Sequence, residues 1–266
     1  MAKKTKALPA PLWATVLPDD ALRLTRIVVP YVRWFRPSLI RWLVRDNMEH
    51  YDAWCAVLKK ADVDREFYLW HGTACAYPGI RRKVGKNDES GATGKQNLSL
   101  DKSGNQMGHR PWELLHHTGA DFRRMRQGYE LVHLFPHKAD EWKKLLPLLP
   151  DEIQEAIPAE WHTRLKVHGL PGLFSNPANT CFLPSALVRP TDGQSLLRQV
   201  LWKQAMRLYG STTLLPCLVA KAFKQWLRGQ HDPTGLVWNC NFHGDPEQFV
   251  KLQNDRVKKL TVYQQS

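Results

Sequence analysis

The sequence predicts a helix-rich α+β fold, and three observations carry that prediction. Apolar residues recur at helical spacing near the start (Leu22, Leu24, Ile27, Val28) and again after residue 195 (Leu197, Leu201, Ala205 and Leu208, then Leu215, Val219, Ala222 and Trp226). A shorter run, Tyr129 to Phe135, reads instead as a strand, and an asparagine opens a second short apolar run at Cys181 to Leu183. With 266 residues and 43% hydrophobic content, the chain has enough apolar mass for a substantial core.

Taken in order, residues 1–11 read as a flexible basic tail, and Pro18-Asp19-Asp20 supplies helix-start signals for the segment that follows. Arg33, Arg36, Arg41 and Arg45 alternate with Tyr31, Trp34, Phe35 and Trp42, which fits an amphipathic helix pair or a surface that offers cations and aromatic faces to nucleic acid. Asp46 with Glu49 fits the capping pattern of a further helix reaching Lys60. Phe67-Tyr68-Leu69-Trp70 reads as a short strand. Residues 84–108, rich in Gly, Lys, Asn and Ser, read as a mobile loop. Prolines 147, 150 and 158 punctuate short helices between these two runs. The helix carrying Trp226 is expected to end near Gly229, and the chain closes in a basic helix or strand around Lys258 and Lys259.

The 38 Lys and Arg against 25 Asp and Glu give a formal charge of +13, which favours polyanions through steering and counterion release. Nucleic acid, with DNA favoured over RNA, is the expected partner. No apolar run reaches the roughly 18–20 residues of a membrane span, so the chain reads as soluble and cytoplasmic. Five cysteines form no CxxC pair, and reduced thiols are the simpler reading. His71, Cys75, Cys240 and His243 have spacings that allow a structural zinc site as the weaker alternative.

Two segments carry the chemistry. In Glu130-Leu131-Val132-His133-Leu134-Phe135-Pro136-His137 a histidine closes an apolar strand before a proline, and alternation places His133 on the same face as Leu131. In Asn176-Pro177-Ala178-Asn179-Thr180-Cys181-Phe182-Leu183-Pro184 an asparagine opens a second apolar run. An imidazole whose second ring nitrogen is oriented by a carbonyl can take a proton from water, and an asparagine oxygen can ligate a hard cation or brace a loop. Arg123, Arg124 and Arg126, with Arg81, Arg82 and Lys83 ahead of the loop, are placed to hold phosphates rather than to read bases.

These two segments resemble the halves of the HNH, or ββα-metal, nuclease motif. The resemblance implies an embedded hairpin-and-helix core over residues 110–195 with a helical insertion, preceded by a helical basic region (12–109) and followed by a helical region (196–266) that completes the fold. It also implies endonucleolytic hydrolysis of DNA with a divalent ion, magnesium or manganese. By the same analogy His133 is the general base, Asn179 a metal ligand or loop brace, and His137 a further catalytic candidate. Val132 and Val188 occupy positions where family members often carry ligands; by the resemblance Asp192, His137, His117 or His116 could replace them, or Asn179 could serve as the only protein ligand. A stand-alone defence nuclease fits the size and charge. The alternative is a non-catalytic DNA- or RNA-binding protein whose motif halves serve only as core.

Overall fold

The computed structural model describes residues 18–80, 106–188, 196–229, 233, 235–239 and 241–265. In chain order the elements are α1 (Pro18–Val28), β1 (Arg33–Phe35), α2 (Pro37–Glu49), α3 (Tyr51–Lys60), α4 (Arg65–Tyr68), α5 (Gln106–Leu114), α6 (Gly119–Met125), β2 (Tyr129–His133), α7 (Ala139–Leu145), α8 (Asp151–Ala156), α9 (Ala159–His168), β3 (Thr180–Pro184), α10 (Leu196–Tyr209), α11 (Ser211–Leu214), α12 (Cys217–Gly229), β4 (Phe242–His243) and α13 (Phe249–Gln265). The chain is therefore a helix-rich α+β protein with one small mixed sheet, ordered β2-β3-β1-β4.

β2 and β3 pair antiparallel, from Tyr129 opposite Pro184 to His133 opposite Thr180. β1 adds antiparallel to β3, and β4 adds parallel to β1. The sheet thus draws its strands from residues 12–109, 110–195 and 196–266 alike.

Period-two alternation then sorts the aromatic residues into two layers. Phe35 and Phe182 point to the α5 face, where each meets Trp112 edge-on at 4.9 Å between ring centroids. Trp34 points to the opposite face and packs on Tyr209 of α10. Past the end of β2, Phe135 stacks on Trp202 of α10 at 5.0 Å and meets Phe223 of α12 at 5.7 Å. The large rings hold helices to both faces of a sheet too small to bury itself.

Several expectations are corrected here. Residues 33–35 form a strand, because Trp34 and Phe35 bury on opposite faces, where a helix would expose one of them. Phe67 to Trp70 is a helical turn leading into a loop, with Asp64 accepting from the Glu66 N–H as its cap. The helix expected from Asp46 to Lys60 is two helices that break at His50. Residues 129–135 pair only as far as His133. Most of the proposed loop 84–108 lies outside the described residues, as does the basic tail, while its last positions already belong to α5. No helix among the described residues is long and apolar enough to cross a membrane.

Asp46 is no cap. It lies in α2, is buried, and pairs with the buried guanidinium of Arg256 from α13. Arg256 also donates to Asn47 Oδ1 and, from Nε at 2.7 Å, to the carbonyl of Ala76. Asn47 in turn donates to the carbonyls of Thr73 and Cys75. Burial lowers the Arg256 guanidinium to about 9, so it remains cationic at neutral pH. Replacing Asp46 with alanine strands that charge. We expect Asp46→Ala to lose about 3–5 kcal/mol of unfolding free energy, measured by urea denaturation, whereas the exposed control Asp140→Ala should stay within about 0.5 kcal/mol of the parent.

A candidate active site at the β2–β3 junction

His133 ends β2 and stands opposite Thr180, the first residue of β3. Just beyond it, every backbone polar group of Leu134 and Phe135 is tied down. The Leu134 N–H donates to the carbonyl of Asn179 at 2.8 Å, and its carbonyl accepts from Trp202 Nε1 at 2.6 Å and from Arg198 Nε at 3.1 Å. The Phe135 N–H donates to Asn179 Oδ1 at 2.7 Å, and the Phe135 carbonyl accepts from Asn179 Nδ2 at 3.1 Å. The same amide nitrogen donates to the carbonyl of Leu173 at 3.3 Å. One side chain therefore mimics a neighbouring strand and stitches the exit of β2 to the entry of β3.

The segment that delivers Asn179 is buried throughout, from Gly169 to Leu183. Two glycines make this possible. Gly169 adopts φ +69°, and a Cβ there would lie 2.5 Å from the carbonyl oxygen of His137. At Gly172 a Cβ would lie 2.3 Å from the carbonyl oxygen of Phe67. Either clash would push the segment away from its neighbours. Asn176 donates to the Thr213 carbonyl at 2.8 Å, and the Thr180 hydroxyl accepts from Trp112 Nε1 at 2.9 Å while donating to the Pro177 carbonyl.

The half-buried imidazole of His133 places Nε2 3.0 Å from the carbonyl oxygen of Phe174. A carbonyl only accepts, so Nε2 carries the proton and the lone pair resides on Nδ1. Nδ1 has no hydrogen-bond partner among the described residues. Burial lowers the His133 pKa to about 4, against the opposing pull of the Phe174 carbonyl and of Glu141. The ring is thus neutral at physiological pH, with one basic nitrogen and a fixed tautomer. Gly108 of α5 lies close above it: a Cβ there would be 3.6 Å from His133 Cε1 and 3.3 Å from Leu131 Cδ2.

His137 is brought to the same place. It is 8% exposed, its ring centroid lies 4.4 Å from that of His133, and Phe174 packs against both rings. Its backbone N–H donates to Glu141 Oε2, which also accepts from the Lys138 N–H at the start of α7. His133, His137 and Asn179 therefore form one cluster.

The remaining candidates do not join it. His117 forms a 2.7 Å contact with Asp245 beyond β4, at the sheet edge opposite β2, roughly 14 Å away by strand spacing. His116 bonds back to the Trp112 carbonyl and touches Phe122. Asp192, Arg81, Arg82 and Lys83 lie outside the described residues. Asn179 does not fit the role of metal ligand, because it is 0% exposed and its amide is spent on the backbone of Phe135 and Leu173. Among the described residues no group of three His, Cys, Asp or Glu is gathered to hold an ion. Of the residues of the zinc alternative, Cys75 is buried against Ser175 with its thiol pushed up to about 12, and Cys240 lies outside the described residues. Cys55, Cys75, Cys181 and Cys217 are free thiols.

Arg123, Arg124 and Arg126 do converge, lining with Gln127 and Tyr129 an open concavity of about 610 Å³ at the start of β2. Sequence reasoning missed Phe174, Trp202 and Arg198. Phe174 acts through a backbone atom, which no side-chain pattern reports. Trp202 and Arg198 sit on a helix whose apolar face was read correctly but whose target could not be known.

No family model matches the chain, and comparisons with curated proteins and with solved structures return no similar protein.

Two outcomes follow from this geometry. Asn179→Ala orphans buried groups of Phe135 and should cost about 3 kcal/mol in denaturant unfolding. His133 and His243 are both lowered to about 4, so the unfolded chain takes up protons from about pH 6.5 while the folded one does not. Stability should be full above pH 6.5 and fall as the pH drops to about 4, and His133→Gln should flatten part of that slope in unfolding curves measured across the range.

Proposed function

We propose that this protein hydrolyses phosphodiester bonds in nucleic acid, with His133 as general base. The observation that carries the reading is the Phe174 carbonyl on His133 Nε2, which leaves a neutral Nδ1 to accept a proton. Asn179 is a positioning residue. It holds the peptide on which the histidine strand ends, and so fixes where the imidazole points.

In the proposed reaction Nδ1 takes a proton from water as the water oxygen bonds to phosphorus. The bond to the departing sugar oxygen breaks, and that oxygen is protonated from solvent. The imidazolium that forms is stabilised through Nε2–H by the Phe174 carbonyl, as a carbonyl or carboxylate partner stabilises the base in other hydrolytic sites. The hairpin resembles the first two parts of a ββα unit. The helix lying over His133 is α5, which precedes the hairpin, whereas that motif places its helix after the second strand. Because the described residues do not assemble the ligands of an ion, no step is routed through one.

The arginine concavity favours a second reading, nucleic-acid binding without cleavage. A labelled oligonucleotide separates the two. The full chain should cut it, assayed with magnesium, with manganese and with a chelator. His133→Ala should lower the rate by about 10²–10⁴ while affinity stays within about threefold. Equal cutting by the variant removes the base, and no cutting by the parent under any condition favours the binding reading. For the parent, the rate should rise through about pH 4 and then level with respect to this group. Affinity should fall steeply with salt.

A further inference from the structure

Tyr129 lies four residues before His133 on β2, so the two side chains share a face and stand about 13 Å apart. Arg33 reaches from β1 to place its guanidinium carbon 3.5 Å from the centre of the Tyr129 ring. The guanidinium covers one face of that ring, and Tyr129 is one of the residues that line the arginine concavity. Arg126 approaches the Phe122 ring in the same way, at 5.5 Å. Arg123, Arg124 and Arg126 are exposed, and Gln127 beside them offers an amide.

This combination is specific in what it fits. Three cations within one turn, a tyrosine whose ring is held by Arg33 and an amide line a shallow, open surface. A paired duplex presents phosphates to such a surface but hides the faces of its bases, so the ring and the amide would meet nothing. An unpaired nucleotide presents both: a phosphate for the arginines and a flat base for the ring. Positive charge continues across the sheet from Arg33 to Arg36, whose Nε donates to the Gly244 carbonyl at 2.8 Å. Both arginines act on His243 and help depress its basicity.

We propose that the concavity at Arg123, Arg124, Arg126, Gln127 and Tyr129 binds single-stranded nucleic acid, one base stacking on Tyr129 and its flanking phosphates held by the arginines. The proposal rests on the preceding functional reading and deepens it by naming its substrate class.

Fluorescence anisotropy with a labelled 12-nucleotide single strand, and with the duplex of the same sequence, tests it on the full chain. At about 0.1 M salt the single strand should bind at least tenfold more tightly than the duplex. Tyr129→Leu should weaken single-strand binding about tenfold and leave duplex binding unchanged, while Tyr129→Phe keeps the parent affinity. Arg124→Glu, at an exposed position that leaves packing intact, should weaken single-strand binding more than tenfold and lower its salt slope. Equal or tighter duplex binding, or parent-like affinity in both Tyr129→Leu and Arg124→Glu, overturns the proposal. A single strand that is bound at these residues but never cut would sink the hydrolytic reading and leave this one standing. Cutting that needs His133 but is indifferent to Tyr129 and the arginines would do the reverse.

Discussion

The side-chain amide of Asn179 is the constraint on which the candidate site depends. It accepts from and donates to the backbone of one residue, Phe135, and so closes a ladder that the strands themselves leave open after His133. Between these residues the chain makes a detour through α7, α8 and α9. A short turn would set the hairpin register by its own geometry, but so long a connection cannot. Here the register is set at the open end by a buried amide, by the Leu134 N–H bonded to the Asn179 carbonyl and by two α10 side chains on the Leu134 carbonyl. The pose of His133 follows from that arrangement.

The same economy explains why an asparagine at this position cannot also serve an ion. Its oxygen points at the Phe135 N–H and its nitrogen at two carbonyls, all inside the core. A buried amide with its hydrogen bonds satisfied is stable because it is closed, and opening it to a cation would orphan the backbone it serves. The chemistry left to the site is that of a neutral, oriented imidazole near a cationic surface. Elsewhere the fold uses buried polar groups in a comparable way. The Asp46–Arg256 pair, with Asn47 and the carbonyls of residues 73, 75 and 76, ties the last helix to α2. Tyr77 and Arg110 both bond to Asp255, one residue earlier on that helix.

Much of the secondary structure can be read from local pattern. The strand ending at His133 and the late helices with Leu197, Leu201, Val219 and Trp226 inward follow from spacing, whereas the strand opening at Thr180 is buried on both faces and shows no alternation. The misread segments are those where local pattern and tertiary demand diverge. Trp34 and Phe35 look helical beside their arginines until β3 and β4 arrive on either side. Phe67 to Trp70 look like a strand, yet among the described residues no strand pairs with them, and Trp70 Nε1 instead donates to the Thr212 carbonyl. Asp46 and Glu49 spell a cap, but Asp46 is claimed by a guanidinium about 210 residues later.

What the sequence determined by itself is the class of fold, the positive field and two apolar runs, one closed by a histidine and one opened by an asparagine. Those depend on composition and on spacing within a few residues. Only the tertiary structure decided that His133 is neutral and oriented by Phe174, that Asn179 is spent as a brace, and that His117 stands at the far edge of the sheet. Each of those outcomes is set by desolvation or by a bond to a backbone atom distant in sequence, and such partners leave no periodic trace in the chain.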